Sequence, residues 1–271
     1  MIRLLAVILL LAAPAMAEGR QPSHCIALAG AVPGLEYLHR AGFSDPLPDY
    51  TVRLRYIAHD SFLIQAGGVN AVTDFTGFIG SAEFTPDLVT MNHAHETHWT
   101  AHPDPAIPHV LRGWGPVHGQ GIAHHLDLGG LVVRNVSTDI RSGDGVEPKG
   151  NSIFVFEAEG LCIAHLGHLH HEPSDAQYAA LGRMDVVMAP VDGGYTMAIG
   201  NMMHVLRRIR ASIVIPMHWF TEATLERFLA GMAGDFAIER KGESEIEVSL
   251  RSLPERPTIV VLRPAWLRQG E

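Results

Sequence analysis

The stretch Met91-Asn92-His93-Ala94-His95-Glu96-Thr97-His98 decides how the rest of the chain is read. It follows Asp87 to Met91, an apolar run with the length of a buried strand. In an extended segment residues two apart point to the same side, so His93 and His95 present their rings together. A helical turn after His95 brings His98 onto the same cleft. Three imidazoles converging within six residues are hard to explain as packing and natural as metal ligands. Two more groups lie downstream: His165-Leu166-Gly167-His168-Leu169-His170-His171, and Ile215-Pro216-Met217-His218-Trp219-Phe220. Each follows a short apolar run. Histidines placed directly after strands match the way α/β proteins deliver ligands from strand ends into one crevice.

Of the 17 histidines in 271 residues, 12 fall between positions 93 and 171, so they are clustered rather than scattered. Basic residues number 20 against 29 acidic, and only Lys149 and Lys241 are lysines. That balance excludes a binder of the nucleic-acid backbone, which needs a basic stripe, and leaves a small molecule as the expected partner. A chain 47% hydrophobic and 18% charged is not disordered.

Met1-Ile2-Arg3, the apolar run Leu4 to Ala13 and the small-x-small Ala15-Met16-Ala17 read as a signal peptide cleaved after Ala17. The run is too short for a permanent membrane span, and no later segment is long enough. The expectation is a periplasmic or secreted protein, free of the membrane after cleavage, with residues 18–271 as one domain. Export permits disulfides. Cys162 lies in a buried run and Cys25 near the start of the mature chain, and the reading is two free thiols. Two cysteines cannot build a thiolate zinc site, so any metal is held by histidine and carboxylate.

Strands are expected over Tyr50 to His59, Ser61 to Gln65, Val69 to Asp74, Asp87 to Met91, Leu131 to Val136, Ser152 to Glu157 and Leu161 to His165. Helices are expected over Asp175 to Leu181, Met197 to Arg210 and Glu222 to Met232, alternating with strands at Asp185 to Ala189 and Ser212 to Pro216. Val248 to Ser252 and Thr258 to Leu262 close the chain as strands, and His102 to His125 reads as a long loop. Strands in the first half and strand–helix alternation in the second give an α/β fold of two sheets covered by helices.

Taken in order, the histidine groups resemble those of the metallo-β-lactamase-fold hydrolases, nearest the branch of sugar-lactonase-like and uncharacterised metal-dependent hydrolases. Ala58-His59-Asp60-Ser61-Phe62-Leu63-Ile64 is similar to that branch's Gly-His-Ala-Ser-Phe-Leu-Ile strand. Val72-Thr73-Asp74, Gly150-Asn151-Ser152-Ile153-Phe154-Val155 and Val191-Asp192-Gly193-Gly194-Tyr195-Thr196 match as well. The resemblance covers about residues 51 to 220 and implies a four-layer αβ/βα sandwich with the metal at one edge of its two sheets.

This chain also departs from the pattern. Where the family has His-x-His-x-Asp-His, the aspartate position is Thr97, and where it has Leu-Gly-Asp the carboxylate is replaced by His168. The third histidine of the family's first metal site has no counterpart, and Asp139 is the nearest ligand type. An imidazole has one free lone pair and cannot bridge two cations as a carboxylate does. The expectation is one tightly bound divalent metal, zinc by preference, with a second, weaker ion as an alternative. The ion is held by His93, His95 and His168 or by His98, His168 and His218. With neutral ligands the ion's charge is uncompensated, and a bound water ionises near neutral pH.

His98, Glu96 and Asp139 are the candidate catalytic residues, and the His170-His171 pair is another candidate proton acceptor. His59, Asp74, Thr97, His171 and Tyr195 are expected around the ligands, Asp74 as the partner that fixes a ligand tautomer. His165 reads as a core histidine and His204 as a surface one. The functional expectation is an exported hydrolase acting on an ester, lactone, amide or phosphoester. Its rivals are a non-catalytic metal binder on the same fold and a metal-dependent oxidoreductase.

Overall fold

A computed structural model of the protein describes residues 23–27, 43–93, 95–143 and 145–270, and the predicted leader Met1–Ala17 lies outside them. After a short helix, α1 (His24–Ala27), the first half is strand: β1 (Val52–Ala58), β2 (Ser61–Ala66), β3 (Val69–Val72), β4 (Leu88–Met91) and β5 (His109–Arg112). β6 (His125–Asp127), β7 (Val132–Ser142), β8 (Gly145–Ala158) and β9 (Leu161–His165) complete it. The second half alternates through α2 (Asp175–Leu181), β10 (Val186–Pro190), α3 (Ile199–Ile209), β11 (Ile213–Met217) and α4 (Glu222–Met232). Strands β12 (Ala237–Arg240), β13 (Glu245–Val248) and β14 (Thr258–Val261) follow.

Six strands form one sheet in the order β13-β1-β2-β3-β4-β5, and eight form the other in the order β12-β14-β11-β10-β9-β8-β7-β6. The inner faces meet in a core that includes Leu54, Tyr56, Phe62, Ile64, Phe154, Phe156, Ile163, Met188 and Ile215. β1 alternates as its sequence requires, but Arg53 and Arg55 are buried as well. Their cross-strand partners in register are Glu247 and Glu245, which they meet as ion pairs at 2.7 and 3.3 Å. Opposite charges directly across an antiparallel pair stabilise it.

On the outer face of the eight-stranded sheet, α3 packs Ile199, Met202, Val205 and Leu206, spaced as one helical stripe, against Leu225, Phe228, Leu229 and Met232 of α4. α2 begins in a capping box made by Ser174 and Gln177. The outer face of the six-stranded sheet is covered, among the described residues, by Phe75, Ile79, Ile107 and Leu267 from connecting segments.

Three departures from the sequence reading have physical reasons. Cys25 and Cys162 form a disulfide, with a Cα–Cα distance of 5.7 Å, where two free thiols were expected. The N-terminal segment lies on the core: Arg183 N donates to Cys25 O at 3.0 Å. Gly182, at φ +74°, permits this approach, since a Cβ there would lie 2.6 Å from that carbonyl oxygen. The expected loop His102 to His125 contains β5 and the first residue of β6, because it pairs in register with β4 and β7. The closing strand falls at β13 rather than Val248 to Ser252, since Glu245-Ile246-Glu247-Val248 supplies the alternation that pairs with β1.

β9, β10, β11 and β14 run parallel, as do β3, β4 and β5. Parallel strands end on the same edge of a sheet, so β3, β4, β9, β10 and β11 release their chains toward one cleft.

Candidate metal centre

Beyond β4 the chain does not stay extended. Asn92 N donates to His98 O at 3.2 Å and His98 N to His95 O at 3.0 Å, closing a 3₁₀ turn over Glu96–His98. Asn92 holds this loop, donating through Nδ2 to Asp74 Oδ1 at 3.0 Å and accepting from Ser152 N at 2.8 Å. Beyond β9, Gly167 sits at φ +57°, and a Cβ there would lie 2.4 Å from Asn92 Nδ2. Asn151 then fixes the next residue by accepting from His168 N at 2.9 Å.

These turns bring His95, His98, His168 and His218 together, with one donor atom of each within 4.8 Å of the others. Each ring has its Nδ1 engaged by a neighbour. Nδ1 of His95 meets Thr97 Oγ1 at 2.7 Å, and that of His168 meets His170 Nε2 at 2.9 Å. Nδ1–H of His98 donates to Asp74 Oδ2 at 2.7 Å, and that of His218 to Asp192 Oδ2 at 3.0 Å. The four Nε2 atoms are left for the centre. Those of His95 and His168 lie 3.0 Å apart, and those of His98 and His218 are buried without a hydrogen-bond partner among the described residues. Buried polar atoms without partners are rare and costly, and lone pairs converging on one point fit a divalent cation.

A second group, His59, Asp60, His98 and His218, overlaps the first. Asp60 is fully buried, with Oδ2 3.0 Å from His98 Nδ1 and 3.9 Å from His218 Nε2. Its main-chain oxygen accepts from Thr73 Oγ1 and faces His165 Nε2 at 2.7 Å. His165 is thus a buried brace, as expected of a core residue, and His204 is exposed.

Several candidates stand elsewhere. His93 is excluded from the cluster because the chain turns at Asn92; its Nε2 lies 3.0 Å from Glu147 and its ring rests on Trp114. Glu96 is exposed and belongs to neither donor group. Asp139 accepts from Lys149 N at 2.8 Å, occupied in the β7–β8 hairpin. His171 joins neither group, its ring 6.3 Å from that of His170. Asp74 lies where a tautomer-fixing carboxylate was expected, and Thr97 links His95 to His59, whose Nε2 is 3.0 Å from Thr97 Oγ1. Tyr195 is exposed at the rim, edge-on to Phe220.

The sequence reading assigned no role to Asp60 or Asp192. Asp192 also accepts from the backbone N–H groups of Gly194, Tyr195 and Thr196, so it shapes its own turn while holding His218. Its match to the family motif was the available signal; Asp60 offered only a carboxylate where the family has alanine.

The charges divide the site. Burial lowers the pKa of His98, but the charges of Asp60 and Asp74 and hydrogen bonds to them override it and hold the group up at about 10. His218 is opposed by burial in the same way and raised by Asp60 and Asp192. Burial, with the positive charges of His98 and His218, pushes His168 down to about 2 and lowers His95. Burial raises Asp60, yet the histidine charges hold its carboxyl well below the usual range. Three carboxylates therefore surround the imidazoles, and a cation's charge is offset more than the sequence reading expected.

Three residues here hold left-handed backbone without being glycine: His59 (φ 50°), Asp74 (φ 42°) and His218 (φ 54°). Such conformations cost energy in non-glycine residues and concentrate at functional sites.

Residues 53–218, which contain the whole cluster, match the β-lactamase superfamily domain. The chain belongs to that superfamily, with the metallo-β-lactamase fold. It is 26% identical over 189 residues to a UPF0173 metal-dependent hydrolase of Methanospirillum hungatei, covering 63% of this chain and 84% of the relative. A UPF0173 metal-dependent hydrolase of Methanoculleus marisnigri is 28% identical over 187 residues, 63% of this chain and 82% of its own. Among solved structures, a Thermotoga maritima protein assigned as a Zn-dependent hydrolase of the metallo-β-lactamase superfamily is 26% identical. Its TM-score is 0.55, over 78% of this chain and 98% of that one. A Veillonella parvula protein, 12% identical, shares the fold with a TM-score of 0.50 over 74% of this chain and all of its own.

Proposed function

We propose that the protein is an exported, single-domain, metal-dependent hydrolase of small-molecule substrates that holds one divalent cation tightly. The observation that carries this reading is the set of four imidazoles with every Nδ1 engaged and the Nε2 atoms left to converge. His98, His168 and His218 are buried and hold the ion, while the exposed His95 completes or leaves the set. Imidazole donors suit zinc, with copper, nickel and iron as competitors. The relatives named metal-dependent hydrolases support the reaction class. The disulfide supports an oxidising compartment.

When bound, the cation lowers the pKa of a water toward neutrality and polarises the bond to be broken. The chain's own residues do the rest. Asp74 and Asp192 fix His98 and His218 as tautomers with Nε2 lone pairs inward. Thr97 Oγ1, between His95 Nδ1 and His59 Nε2, offers a path for a proton from the exposed histidine to the half-buried His59.

The test is metal analysis of protein purified without a histidine tag, followed by turnover of ester, lactone, amide and phosphodiester panels. The expected result is about one equivalent of metal, with hydrolysis lost in His168→Ala. Protein that retains no metal would sink the reading. One observation favours a second reading: four histidines closing on one ion resemble a structural site with no open position. Bound metal with no turnover of any panel member would select that non-catalytic alternative.

A further inference from the structure

We infer that the substrate is a neutral carboxylic ester carrying an aromatic or bulky apolar group, an inference that rests on the hydrolase reading above. Phe220 and Tyr195, 55% and 68% exposed, stand together beside the cluster with ring centroids 5.3 Å apart, edge to face. Phe220 lies 5.0 Å from the His218 ring and 5.6 Å from that of His59, so the pair continues directly from the metal donors. They sit on the segments after β11 and β10, and Tyr195 is fixed from behind, its main-chain oxygen accepting from Arg141 and facing His170. Adjacent exposed aromatics next to convergent polar groups form the apolar wall of a ligand site.

The charges choose among apolar substrates. The carboxylates of Asp60, Asp74 and Asp192 lie beside the cluster, at 3.0 and 2.7 Å from His98 Nδ1 and 3.0 Å from His218 Nδ1 respectively. Arg141 has its Nη2 turned to the carbonyls of Gly194, Tyr195 and Thr196 at 2.8, 2.7 and 2.5 Å. Phosphoryl recognition relies on arginine or lysine clamps, and the Arg141 Nη2 is already committed to three carbonyls. A neutral acyl group needs no such clamp. Water divides across the acyl C–O bond, its oxygen going to the carbonyl carbon and a proton to the leaving alcohol, without oxidant or co-reactant.

The experiment compares 4-nitrophenyl acetate, 4-nitrophenyl benzoate and bis(4-nitrophenyl) phosphate on zinc-loaded protein, with metal content measured in each variant. Expected are a kcat/KM for benzoate above that for acetate, and phosphodiester turnover on the order of 100-fold lower than either. Phe220→Ala and Tyr195→Ala should shrink the benzoate-to-acetate ratio on the order of 10-fold, mainly through KM, at unchanged metal content. Phosphodiester turnover equal to ester turnover, or a ratio insensitive to both substitutions, would overturn this inference alone. A metal-loaded protein that turns over lactones or amides but neither ester would overturn this inference alone, and one that turns over no member of the full panel would overturn the hydrolase reading with it.

Discussion

His98 and His218 are held by carboxylates, whereas His95 and His168 are held by a hydroxyl and another imidazole. A carboxylate accepts only, so it fixes the proton on Nδ1 and leaves the Nε2 lone pair inward. The other half lacks that instruction. His170 accepts from Arg141 N through Nδ1, so its Nε2 carries a proton and presents it to Tyr195 O and His168 Nδ1. The His168 proton is then left on Nε2, facing His95 Nε2 at 3.0 Å. The carboxylate half has its Nδ1 protons fixed but must give up the extra proton that its carboxylates retain. The neutral half must move a proton from one ring nitrogen to the other.

The largest expected effect breaks the comparison outright. His98→Ala or His218→Ala should weaken zinc binding, measured by chelator competition, more than about 100-fold, and the exposed His95→Ala much less. Equal losses would show that the halves are equivalent. Next comes pH. His98 carries its proton up to about 10, so its charge favours the metal-free fold fully below the unfolded value of 6.5 and loses that effect as pH rises through about 10. A cation must displace that proton, so zinc affinity should rise roughly 10-fold per pH unit between pH 6 and 8, with proton release seen by calorimetry in two buffers. A flat profile contradicts the assignment.

Asp60→Asn and Asp74→Asn should each cost about 10- to 100-fold in affinity, while Thr97→Val costs less than about 10-fold. Thr97→Asp sharpens the contrast from the other side. Placing a carboxylate on His95 should tighten zinc by about 10-fold, and unchanged affinity would show that its tautomer was never limiting. The smallest effect on the centre is expected from Cys25→Ser. Losing the disulfide should lower stability by about 2–5 kcal/mol in denaturant titrations while leaving zinc affinity alone.

What was legible in the sequence follows from range. The inner strands of both sheets and α2, α3 and α4 are written in local periodicity and turn residues, whereas the edge strands β5, β6, β12 and β13 are not. His168 and His218 could be found because they follow apolar strands. His93 was misplaced because two-residue alternation holds only while the strand lasts, and it ends at Met91. Asp60 and the pairing of Cys25 with Cys162 depend on contacts between distant segments, which no local pattern encodes. Asp139 has the right chemistry at the wrong depth, spent on a hairpin amide.

The left-handed backbone at His59, Asp74 and His218 sets durability against use. Glycine would relax each of these turns by roughly 1 kcal/mol. It would also delete a proton-path residue, a tautomer anchor and a metal donor. At the half-buried His59, selection for heat tolerance alone would therefore favour glycine. At the buried Asp74 and His218 the relief is outweighed by the partners left unpaired, so there the fold and the centre are preserved together.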